Sequence, residues 1–541
     1  MRWWGWGDPA HVSGLPDHVV GFLAGEVGIA SELRPAVAIE DVAITEPALS
    51  ADARAALAAA VGEEYVGDDA LTRIVHAAGK SYPDLVRQRS GDCTGAPDAV
   101  VLPGSAGQVR DALAACVEHG VAVVPFGGGT SVVGGVEPIR GDCGAVIALD
   151  LARMDRLADI DVPSLTATFE PGARGPAAES LLAAEGLTLG HFPQSYEYAS
   201  LGGYVATRSA GQASTGYGRI DELVLGLRLV APAGDIVLPP VPASAAGPGL
   251  RDLIVGSEGT LGVITEVALE VRPAPAAKRY EGWFFRAFED GVEALRALEQ
   301  AHAAPDVSRL SDEEETRLLL ALAGTDSLKS RVGAAYLRAR GYANGCVAIF
   351  GWEGDEGDVA RRAARSGAIA RDGGGISLGR APGEAWASGR FAGPYLRDDM
   401  LDLGVMAETL ETATQWSRLL YLHAAVDVAL RDALSQRGTP PLVMCHVSHL
   451  YGSGASLYFT FIARQQEGEE IEQWRAAKRA ACDAIVTHGG TITHHHAVGR
   501  DHAEWMHAEV GDLGLATLRS IKDTLDPSGI MNPGKLLPEQ R

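Results

Sequence analysis

The chain has 541 residues, enough for more than one domain and a large buried core. Hydrophobic residues make up 46% of it and charged residues 21%, which is ordinary for a soluble globular protein. Its 46 Lys and Arg against 70 Asp and Glu give a net charge of −24, which argues against a nucleic-acid partner because phosphate contacts need clustered cations.

Other features exclude further classes of protein. The six cysteines are scattered without a C-x-x-C pair, so we expect reduced thiols packed as small hydrophobes. Nowhere do about eighteen apolar residues follow one another, so no transmembrane helix is expected. The first residues lack the continuous apolar core of a signal peptide, and the last residues, Pro538–Arg541, are not a peroxisomal address.

The first predicted elements are helices. Residues 1–92 form a helical N-terminal segment in this interpretation, with helices at Ala51–Val61 and Asp69–Ala78. A β/α pattern begins near Asp98 and marks the start of the next domain.

Residues 93–275 predict a first α+β domain. In it, apolar residues at helical spacing predict a helix that ends at Gly120, and the apolar run Val121–Val124 predicts a buried strand. Two further apolar runs, Leu223–Val230 and Ile236–Leu238, predict a hairpin. Prolines interrupt the pattern near residue 275 and close the domain.

Residues 276–485 predict a second α+β domain, which opens with a strand at Tyr280–Phe288 and a helix around Val292–Ala301. Residues 311–345 have a mostly helical pattern, and glycines interrupted by charge predict a mobile loop at Gly367–Gly379. The last expected elements are a strand at Ser456–Ile462, a helix at Glu469–Thr487 and, in a C-terminal segment 486–541 that returns to the first domain, a helix stopped at Asp526-Pro527.

The stretch Pro125–Ser131 follows the predicted buried strand, and its three consecutive glycines permit backbone conformations closed to other residues. Successive N–H groups in such a loop converge on an anion such as a pyrophosphate, and Thr130 and Ser131 add hydroxyl donors. The alternative is a glycine-rich loop that merely turns the chain. Two later glycine-rich stretches, Ser200–Gly211 and Gly256–Thr265, favour the ligand-binding interpretation.

In this order and at these intervals, the three loops resemble the FAD-binding domain of the vanillyl-alcohol oxidase type of flavoprotein. The resemblance implies that the first loop holds the pyrophosphate and that the later two line the adenosine and isoalloxazine. No G-x-G-x-x-G motif opens a helix after the first strand, so a nicotinamide site is not supported. The expected fold class is α+β, with a two-subdomain FAD-binding domain of PCMH type, an α+β substrate (cap) domain, and helical N- and C-terminal segments.

Further motifs resemble those of the alkyldihydroxyacetonephosphate synthase (alkylglycerone-phosphate synthase) family. The matching segments run from residue 1 to about 535 and are Arg2–Gly7, Gly79–Arg87, Gly190–Ser195, Tyr395–Asp398, Glu408–Thr412, Thr493–Gly499 and Leu525–Ile530. A D-lactate or glycolate dehydrogenase would share the three loops, but neither the tryptophan-rich opening nor the triple histidine.

The resemblance implies non-covalent FAD, because the loop from Pro125 to Gly135 contains neither the His nor the Cys that tethers the ring in several relatives. The residues expected to bind FAD are Pro125, Phe126, Gly127, Gly128, Gly129, Thr130, Ser131, Val132, Gln194, Ser195, Tyr196, Tyr198, Ser200, Gly202, Gly203, Thr207, Arg208, Ser209, Ala210, Glu258, Gly259, Thr260, Gly262, Val263 and Ile264.

Three side chains match family residues with a role in the reaction. Tyr458 matches the family's proton donor and acceptor, and because a phenol has a pKa of about 10, we expect adjacent cationic or imidazole groups to stabilise its phenolate. Arg397 matches the substrate-binding arginine, with an ion pair to Asp398 or Asp399 as the alternative. Arg309 matches another arginine important to family activity and equally suits a structural ion pair.

The run His494, His495 and His496 invites a metal site. Adjacent residues on an extended segment point to opposite sides, however, and no second ligand cluster has metal-like spacing. We therefore expect no metal, and we assign these histidines to carrying or relaying protons beside the flavin. His191 matches a family histidine near the flavin and is grouped with the substrate-binding residues, with a buried structural histidine as the alternative.

By resemblance, the chain exchanges the acyl chain of acyl-dihydroxyacetone phosphate for a fatty alcohol through a redox-neutral flavin adduct, giving an ether-lipid precursor. The alternative on the same fold is an FAD-linked oxidase or dehydrogenase of a 2-hydroxy acid or alcohol. A non-catalytic flavin- or lipid-binding protein would not need the tyrosine, arginine and histidine residues. The expected partner is a phosphorylated, lipid-like small molecule. A bacterial cytoplasmic location, peripheral membrane contact and a homodimer complete these expectations.

Overall fold

The computed structural model describes residues 1–8, 10, 14–323, 337 and 340–538. The elements before the first sheet are α1 (Asp17–Glu26), α2 (Ala51–Val61), β1 (Val66–Gly67), α3 (Ala70–Val75) and α4 (Tyr82–Arg89). The side chains of Ser50, Asp69 and Ser81 accept backbone N–H groups at the starts of α2, α3 and α4, which satisfies donors that a helix leaves unpaired. Both predicted helices of this segment are present, with α3 shorter than expected.

The first sheet is mostly parallel and has the strand order β1-β2-β4-β3. Its parallel strands are β2 (Ala99–Val101), β3 (Val121–Phe126) and β4 (Ala145–Asp150). α5 (Ala106–His119) connects β2 to β3 and ends at Gly120, whose φ of +62° is a left-handed conformation that glycine adopts without strain. The predicted helix end and buried strand are therefore confirmed.

The second sheet is antiparallel, with the order β5-β6-β10-β8-β9. Its strands are β5 (Leu157–Asp161), β6 (Thr166–Phe169), β8 (Val224–Ala231), β9 (Gly234–Leu238) and β10 (Val263–Glu270). β8 and β9 form the predicted hairpin. The connecting elements are α6 (Gly175–Ala183), β7 (Leu187–Thr188), α7 (Leu201–Thr207), α8 (Ser214–Tyr217), α9 (Ile220–Leu223), α10 (Leu250–Ile254) and β11 (Arg272–Pro273).

The third sheet has seven strands in the order β15-β12-β14-β13-β17-β18-β16. The strands are β12 (Ala277–Phe285), β13 (Val307–Ser311), β14 (Cys346–Gly354), β15 (Ile376–Gly379), β16 (Val405–Gln415), β17 (Leu442–Tyr451) and β18 (Gly454–Arg464). The helices of this part are α11 (Phe288–Gln300), α12 (Glu313–Ala323), α13 (Glu356–Asp372), α14 (Arg380–Gly389), α15 (Gly393–Asp402), α16 (Leu419–Gln436) and α17 (Glu470–Thr487).

The two faces of this sheet have different environments. One face packs against α11, α13, α16 and α17 in a buried apolar cluster that includes Phe459 and Phe461 of β18. The alternate residues of the same strand, Tyr458, Thr460 and Ile462, line a cavity on the other face. Because successive residues of a strand point to opposite faces, β18 supplies the core and the cavity at once.

Two predictions in this part of the chain were wrong. Gly367–Gly379 is not a mobile loop, because it begins inside α13 and ends as β15. Gly367 is buried inside helix α13, where the Trp283 ring would lie 3.3 Å from an added Cβ and leaves little room for a larger side chain. The predicted strand at Tyr280–Phe288 was too long, since β12 ends at Phe285 and α11 begins at Phe288.

The helical pattern at residues 311–345 is confirmed in part. α12 spans Glu313–Ala323, and strand β14 begins at Cys346. Residues 324–336, 338 and 339 of the predicted stretch lie outside the described residues.

The C-terminal part returns to the first sheet. α18 (Met506–Leu525) ends before Asp526, as predicted. The backbone N–H of Asn532 then donates to the carbonyl of Val123 in β3 over 2.8 Å, and the N–H of Val123 donates to the carbonyl of Ile530 over 2.8 Å. None of the helices in the described part of the chain combines the length and the apolar character that a membrane span requires.

Candidate active site

A cavity of about 520 Å³ lies between the glycine-rich loops of the first two sheets and the open face of the third. Every part of the chain contributes to its wall. Trp6 comes from the N-terminal segment, Arg397 from α15, and His495 and His496 from the segment after α17. The fold therefore brings residues that are far apart in the sequence to one site.

The loop after β3 presents its backbone to this cavity. Within the described part of the chain, the N–H groups of residues 127–132 donate to no protein acceptor. Consecutive unpaired donors on a cavity wall form an anion site. Glycine is required here by packing as well, since a Cβ on Gly127 would lie 2.2 Å from the Ser200 hydroxyl and one on Gly128 would lie 2.0 Å from the Tyr198 carbonyl.

Most residues of the three predicted cofactor loops line the cavity. They are Pro125, Phe126, Gly127, Gly128, Gly129, Thr130, Ser131, Val132, Gln194, Ser195, Ser200, Gly202, Gly203, Thr207, Ser209, Ala210, Glu258, Gly259, Gly262 and Ile264. The Ser200 hydroxyl also accepts the Gly203 N–H at the start of α7, so this loop is fixed by a helix cap.

The other predicted cofactor residues lie behind the wall. They are Tyr196, Tyr198, Arg208, Thr260 and Val263. The Arg208 guanidinium donates to the carbonyl of Val255 over 2.9 Å, and the Tyr196 ring stacks on Phe391. Val263 is a buried core residue of β10. These side chains therefore support the conformation of the cavity-lining loops and do not line the cavity themselves.

Tyr458 lies in the cavity wall among imidazole rings. Its ring stacks on His446 with a centroid separation of 4.8 Å, and it lies 6.0 Å from His495 and 5.4 Å from His496. Burial lowers the pKa of all three histidines, so they bring no positive charge to the phenol. Burial also raises the pKa of Tyr458 to about 12, although a hydrogen bond with Thr409 opposes the shift. The expected stabilisation of the phenolate by imidazoles was therefore wrong for the protein alone, in which Tyr458 is a neutral acid.

Arg309 is both an ion-pair partner and a cavity residue. Its guanidinium donates to Glu315 over 2.8 Å and to Nε2 of His446 over 3.0 Å. Burial opposes the charge of Glu315, but Arg309 and His446 together lower its pKa to about 2. Nδ1 of His446 lies 2.9 Å from the Glu315 carboxylate and 3.0 Å from the other terminal nitrogen of Arg309, so the three side chains form one compact group. Arg309 thus forms the structural ion pair and also lines the cavity.

Arg397 extends from α15 to the cavity wall. One terminal nitrogen donates to the Lys80 carbonyl over 2.8 Å, while Nε is buried and has no hydrogen-bond partner among the described residues. The Asp398 carboxylate accepts the backbone N–H of Trp6. The chemistry of an arginine with an unsatisfied buried N–H beside a cavity suits an anionic ligand.

Glu411 of β16 fixes the histidine segment. Its carboxylate accepts the backbone N–H groups of His494, His495 and His496, at 2.7 Å for His496. Burial opposes its charge, but these neighbours hold the pKa of Glu411 well below its usual range. His495 and His496 therefore line the cavity, whereas His494 turns away from it and places Nε2 2.6 Å from the Tyr451 hydroxyl.

His191 lies behind the cavity wall. Its Nε2 is 2.7 Å from the Ser209 hydroxyl, and its ring packs edge-on against Tyr204. Burial lowers the pKa of His191 to about 3, so the ring is neutral. Because Ser209 stands between His191 and the cavity, the structure favours the structural interpretation of this histidine over a contact with substrate.

A cluster of three imidazoles lies beside the cavity. His449, His494 and His495 each place a ring nitrogen within 4.8 Å of the others. No sequence spacing indicates this cluster, because His449 lies on β17, far along the chain from the other two. His449 Nε2 donates to the Gly211 carbonyl over 3.1 Å, and its Nδ1 accepts from the Ser456 hydroxyl over 3.1 Å. Both ring nitrogens of His494 are hydrogen-bonded as well. We assign no metal to the cluster, because its nitrogens already serve the protein.

One end of the cavity is apolar, and no sequence motif indicates it. We use the name apolar end for the wall formed by Leu15, Val19, Leu23, Leu318, Leu319, Leu322, Met400, Met444 and Ile462. Trp6 and His446 also line the cavity, although no motif assigned them to the site. The period of two in β17, with Met444, His446 and Ser448 on one face, was the available signal for this part of the wall.

Two family models match the chain. The model described as FAD binding domain matches residues 97–238, and the model described as FAD linked oxidases, C-terminal domain, matches residues 274–536. The alkyldihydroxyacetonephosphate synthase of Dictyostelium discoideum is 33% identical over 99% of this chain and 93% of its own length. That of Trypanosoma brucei brucei is 33% identical over 99% of this chain and 92% of its own length.

The chain belongs to the alkyldihydroxyacetonephosphate synthase family. A solved structure of an alkyldihydroxyacetonephosphate synthase superposes with a TM-score of 0.84 at 31% identity, covering 98% of both chains. A structure of p-cresol methylhydroxylase superposes with a TM-score of 0.66 at 16% identity, covering 90% of this chain and 96% of that one, which shows the shared fold alone. The predicted fold class is confirmed, and FAD is the cofactor of this family member.

The residues of this alkyldihydroxyacetonephosphate synthase relative fit FAD. The N–H groups of residues 127–132, unpaired within the described part of the chain, form a cradle of hydrogen-bond donors that suits a pyrophosphate. An added Cβ at Gly129 would lie 2.6 Å from the Phe126 ring, and one at Gly259 would lie 2.8 Å from Pro125, so the cradle closes only with glycine. Both of these glycines also have positive φ values, +65° and +73°.

Proposed function

We propose that this protein exchanges the acyl chain of acyl-dihydroxyacetone phosphate for a fatty alcohol and so makes an ether-lipid precursor. The observation that carries the proposal is the composition of one cavity wall. It combines an anion cradle of backbone N–H groups, two arginines, a buried phenol and an apolar end. A flavin, a phosphate and a long alkyl chain each find a matching surface there.

FAD would be held by the three loops, without a covalent bond. The N–H groups of residues 127–132 would bind its pyrophosphate, and the cavity-lining residues of 200–210 and 258–264 would flank the rest. Bound FAD supplies the electron sink that the reaction at substrate C1 requires. The loop that would hold the pyrophosphate contains no His or Cys to tether the ring.

Arg397 would bind the substrate phosphate through its unsatisfied Nε and its second terminal nitrogen, since a guanidinium matches phosphate with two parallel hydrogen bonds. Tyr458 would deliver or accept the proton at substrate C1. Its raised pKa keeps the phenol protonated until substrate and cofactor change its surroundings. Arg309 is fixed by Glu315 and His446, and it offers a cation whose position does not depend on substrate.

The apolar end of the cavity would take the alkyl chain. Burial of each methylene contributes about 0.8 kcal/mol, so a wall of leucine and methionine side chains distinguishes long chains from short ones. Leu319, on this wall, is 39% exposed and its neighbour Leu320 is 54% exposed, which supports peripheral contact of α12 with a membrane. A bacterial cytoplasmic location and a homodimer are the remaining parts of the proposal.

The proposal is tested by product stoichiometry. Purified protein is incubated with acyl-dihydroxyacetone phosphate and a labelled fatty alcohol, and both products are extracted and quantified. The expected result is one labelled ether and one free fatty acid per turnover, with no requirement for an electron acceptor. Formation of free fatty acid without labelled ether would show that the protein only hydrolyses the ester, and it would contradict the proposal.

A further inference from the structure

A second cleft, of about 480 Å³, lies on the far side of the histidine segment. Tyr451, Thr491 and Glu509 line it, and the Glu509 side chain is exposed to solvent. The Glu509 carboxylate accepts the Thr491 hydroxyl over 2.6 Å, which fixes a polar group at the mouth of the cleft. Tyr451 thus lies on the wall of a cleft whose rim reaches solvent at Glu509.

A continuous row of hydrogen-bonding atoms joins this cleft to the main cavity. The Tyr451 hydroxyl is 2.6 Å from Nε2 of His494, and Nδ1 of His494 is 2.9 Å from Nδ1 of His495. His495 lines the main cavity, where its ring stacks 6.0 Å from that of Tyr458. A hydroxyl and a neutral imidazole each both donate and accept, so every atom pair in the row works in either direction.

The surroundings suit the movement of a proton along this row. The buried Glu411 carboxylate is 3.7 Å from Nδ1 of His495 and offsets positive charge that passes through the rings. At the outer end, Arg219 hydrogen-bonds the Tyr451 phenol and offsets negative charge there. His449 is close but takes no part, because the Gly211 carbonyl, which only accepts, fixes its tautomer.

The proposed function, on which this inference rests, creates a need for such a route. Exchange of an acyl chain for an alcohol produces a carboxylic acid, which ionises at neutral pH and leaves one proton per turnover. An alkyl chain in the apolar end occupies the wall between α1 and α12. The proton then needs a path that does not pass the substrate.

We propose that Tyr451, His494 and His495 form a proton relay from the main cavity to the second cleft. A proton arrives at Nε2 of His495, and the proton on Nδ1 of His495 moves to Nδ1 of His494. The proton on Nε2 of His494 moves to the Tyr451 oxygen, and the phenol releases its own proton to water in the cleft. One proton enters, one leaves, and both histidines end as neutral rings of the opposite tautomer.

The Tyr451→Phe variant tests the outer end of the relay, with Tyr421→Phe as a matched control because Tyr421 is 65% exposed on α16. The variant is expected to retain FAD and KM, to lose about tenfold in kcat and to show a larger solvent deuterium isotope effect. A kcat and isotope effect equal to those of wild type would overturn the relay. Failure of the wild-type protein to form any ether would instead overturn the proposed function, so the two failures are distinguishable.

A second variant addresses the case in which Tyr451→Phe does not fold. His494→Ala removes the middle ring, and added imidazole is expected to restore much of the lost kcat because it accepts on one nitrogen and donates from the other. Added 1-methylimidazole has no N–H and is expected to restore none. Equal recovery with both compounds would show that the ring merely fills space and would overturn the relay.

Discussion

Glu411 and Tyr458 are directly paired across the antiparallel strands β16 and β18. The Glu411 carboxylate accepts three consecutive backbone N–H groups of the histidine segment, and the Tyr458 ring lies against two of the same histidines. One cross-strand pair therefore sets the position of the histidines relative to the proposed acid. The buried Glu411 carboxylate thus holds the histidine segment in place, through these backbone N–H groups and through the Thr493 hydroxyl, which donates to it over 2.7 Å.

Glu411→Gln should release the histidine segment while leaving the sheet intact. The amide keeps one acceptor oxygen, but its NH₂ group faces a backbone N–H that then has no acceptor. Because the histidines are no longer held in position, we expect kcat to fall about 100-fold while FAD stays bound. The matched control is Glu472→Gln on α17, where the side chain is 61% exposed. Equal kcat in the two variants would show that Glu411 does not position the histidines.

The same carboxylate predicts a pH dependence of stability. The pKa of Glu411 is lower in the folded protein than in the unfolded chain, so its charge stabilises the fold above the unfolded pKa, about 4.3, and this contribution is lost as the pH falls toward the folded pKa. The difference in melting temperature between wild type and Glu411→Gln should therefore be largest near neutral pH and shrink below about pH 4. A difference that is constant from neutral to acidic pH would contradict the ionised state assigned to Glu411.

Tyr458→Phe should separate proton transfer from binding. The ring and its stacking on His446 remain, but the hydroxyl is lost, so we expect kcat to fall by about 100-fold to 10,000-fold while KM and FAD content change little. Steady-state kinetics with the phosphorylated substrate provide the measurement. A kcat close to that of wild type would remove the tyrosine from the mechanism.

Arg397→Lys should act on substrate binding. An ammonium keeps the positive charge but not the two-pronged geometry of a guanidinium. KM should therefore rise about tenfold, the change in binding expected from the loss of one charge-assisted hydrogen bond, while kcat changes less. Arg361→Lys is the control, because the Arg361 side chain is 78% exposed on α13. An unchanged KM in Arg397→Ala would move the phosphate site to Arg309 or Arg500.

Gly128→Ala should abolish flavin retention. Its Cβ would lie 2.0 Å from the Tyr198 carbonyl, so the loop must move and carry its N–H groups away from the pyrophosphate. Gly144→Ala is the control, because an added Cβ there meets no atom within 4 Å. Absorbance of the purified variants at the flavin bands provides the measurement, and normal flavin content in Gly128→Ala would contradict the assignment of this loop.

Wild-type protein denatured with acid should release its FAD into the supernatant, since the pyrophosphate loop carries no tethering residue. The measurement is the flavin absorbance of the supernatant and of the washed precipitate. Flavin that stays with the precipitated polypeptide would mean that another residue tethers the ring. His446, His449, His495 and His496 line the cavity and would be the first to examine.

Local sequence patterns correctly predicted the elements whose hydrophobic pattern depends only on residues close together in the sequence. The structure has strands at all three predicted apolar runs, namely Val121–Val124 and the two runs of the β8–β9 hairpin. A run of consecutive apolar residues is visible in the sequence without knowledge of the fold. The loop at Gly367–Gly379 was mispredicted because glycine usually weakens helices, whereas Gly367 is buried inside α13 and packs close to the Trp283 ring of β12.

The site was predictable only where a motif carried it. Tyr458 and Arg397 came from family motifs, and both line the cavity. His446 and the apolar end had no motif, since they become neighbours only when β17, α1 and α12 pack together. The ionisation states also needed the fold, because the burial of Tyr458, which no sequence pattern shows, raises the pKa of its phenol.

The central claim is that the flavin serves an exchange reaction with no net change in oxidation state. The most direct measurement is the flavin spectrum under anaerobic conditions while acyl-dihydroxyacetone phosphate and a fatty alcohol turn over. The account predicts that ether product accumulates over many turnovers without an electron acceptor and that the oxidised flavin spectrum returns when substrate is exhausted. Lasting bleaching after a single turnover, or bleaching by a 2-hydroxy acid with no ether formed, would contradict it and identify a dehydrogenase.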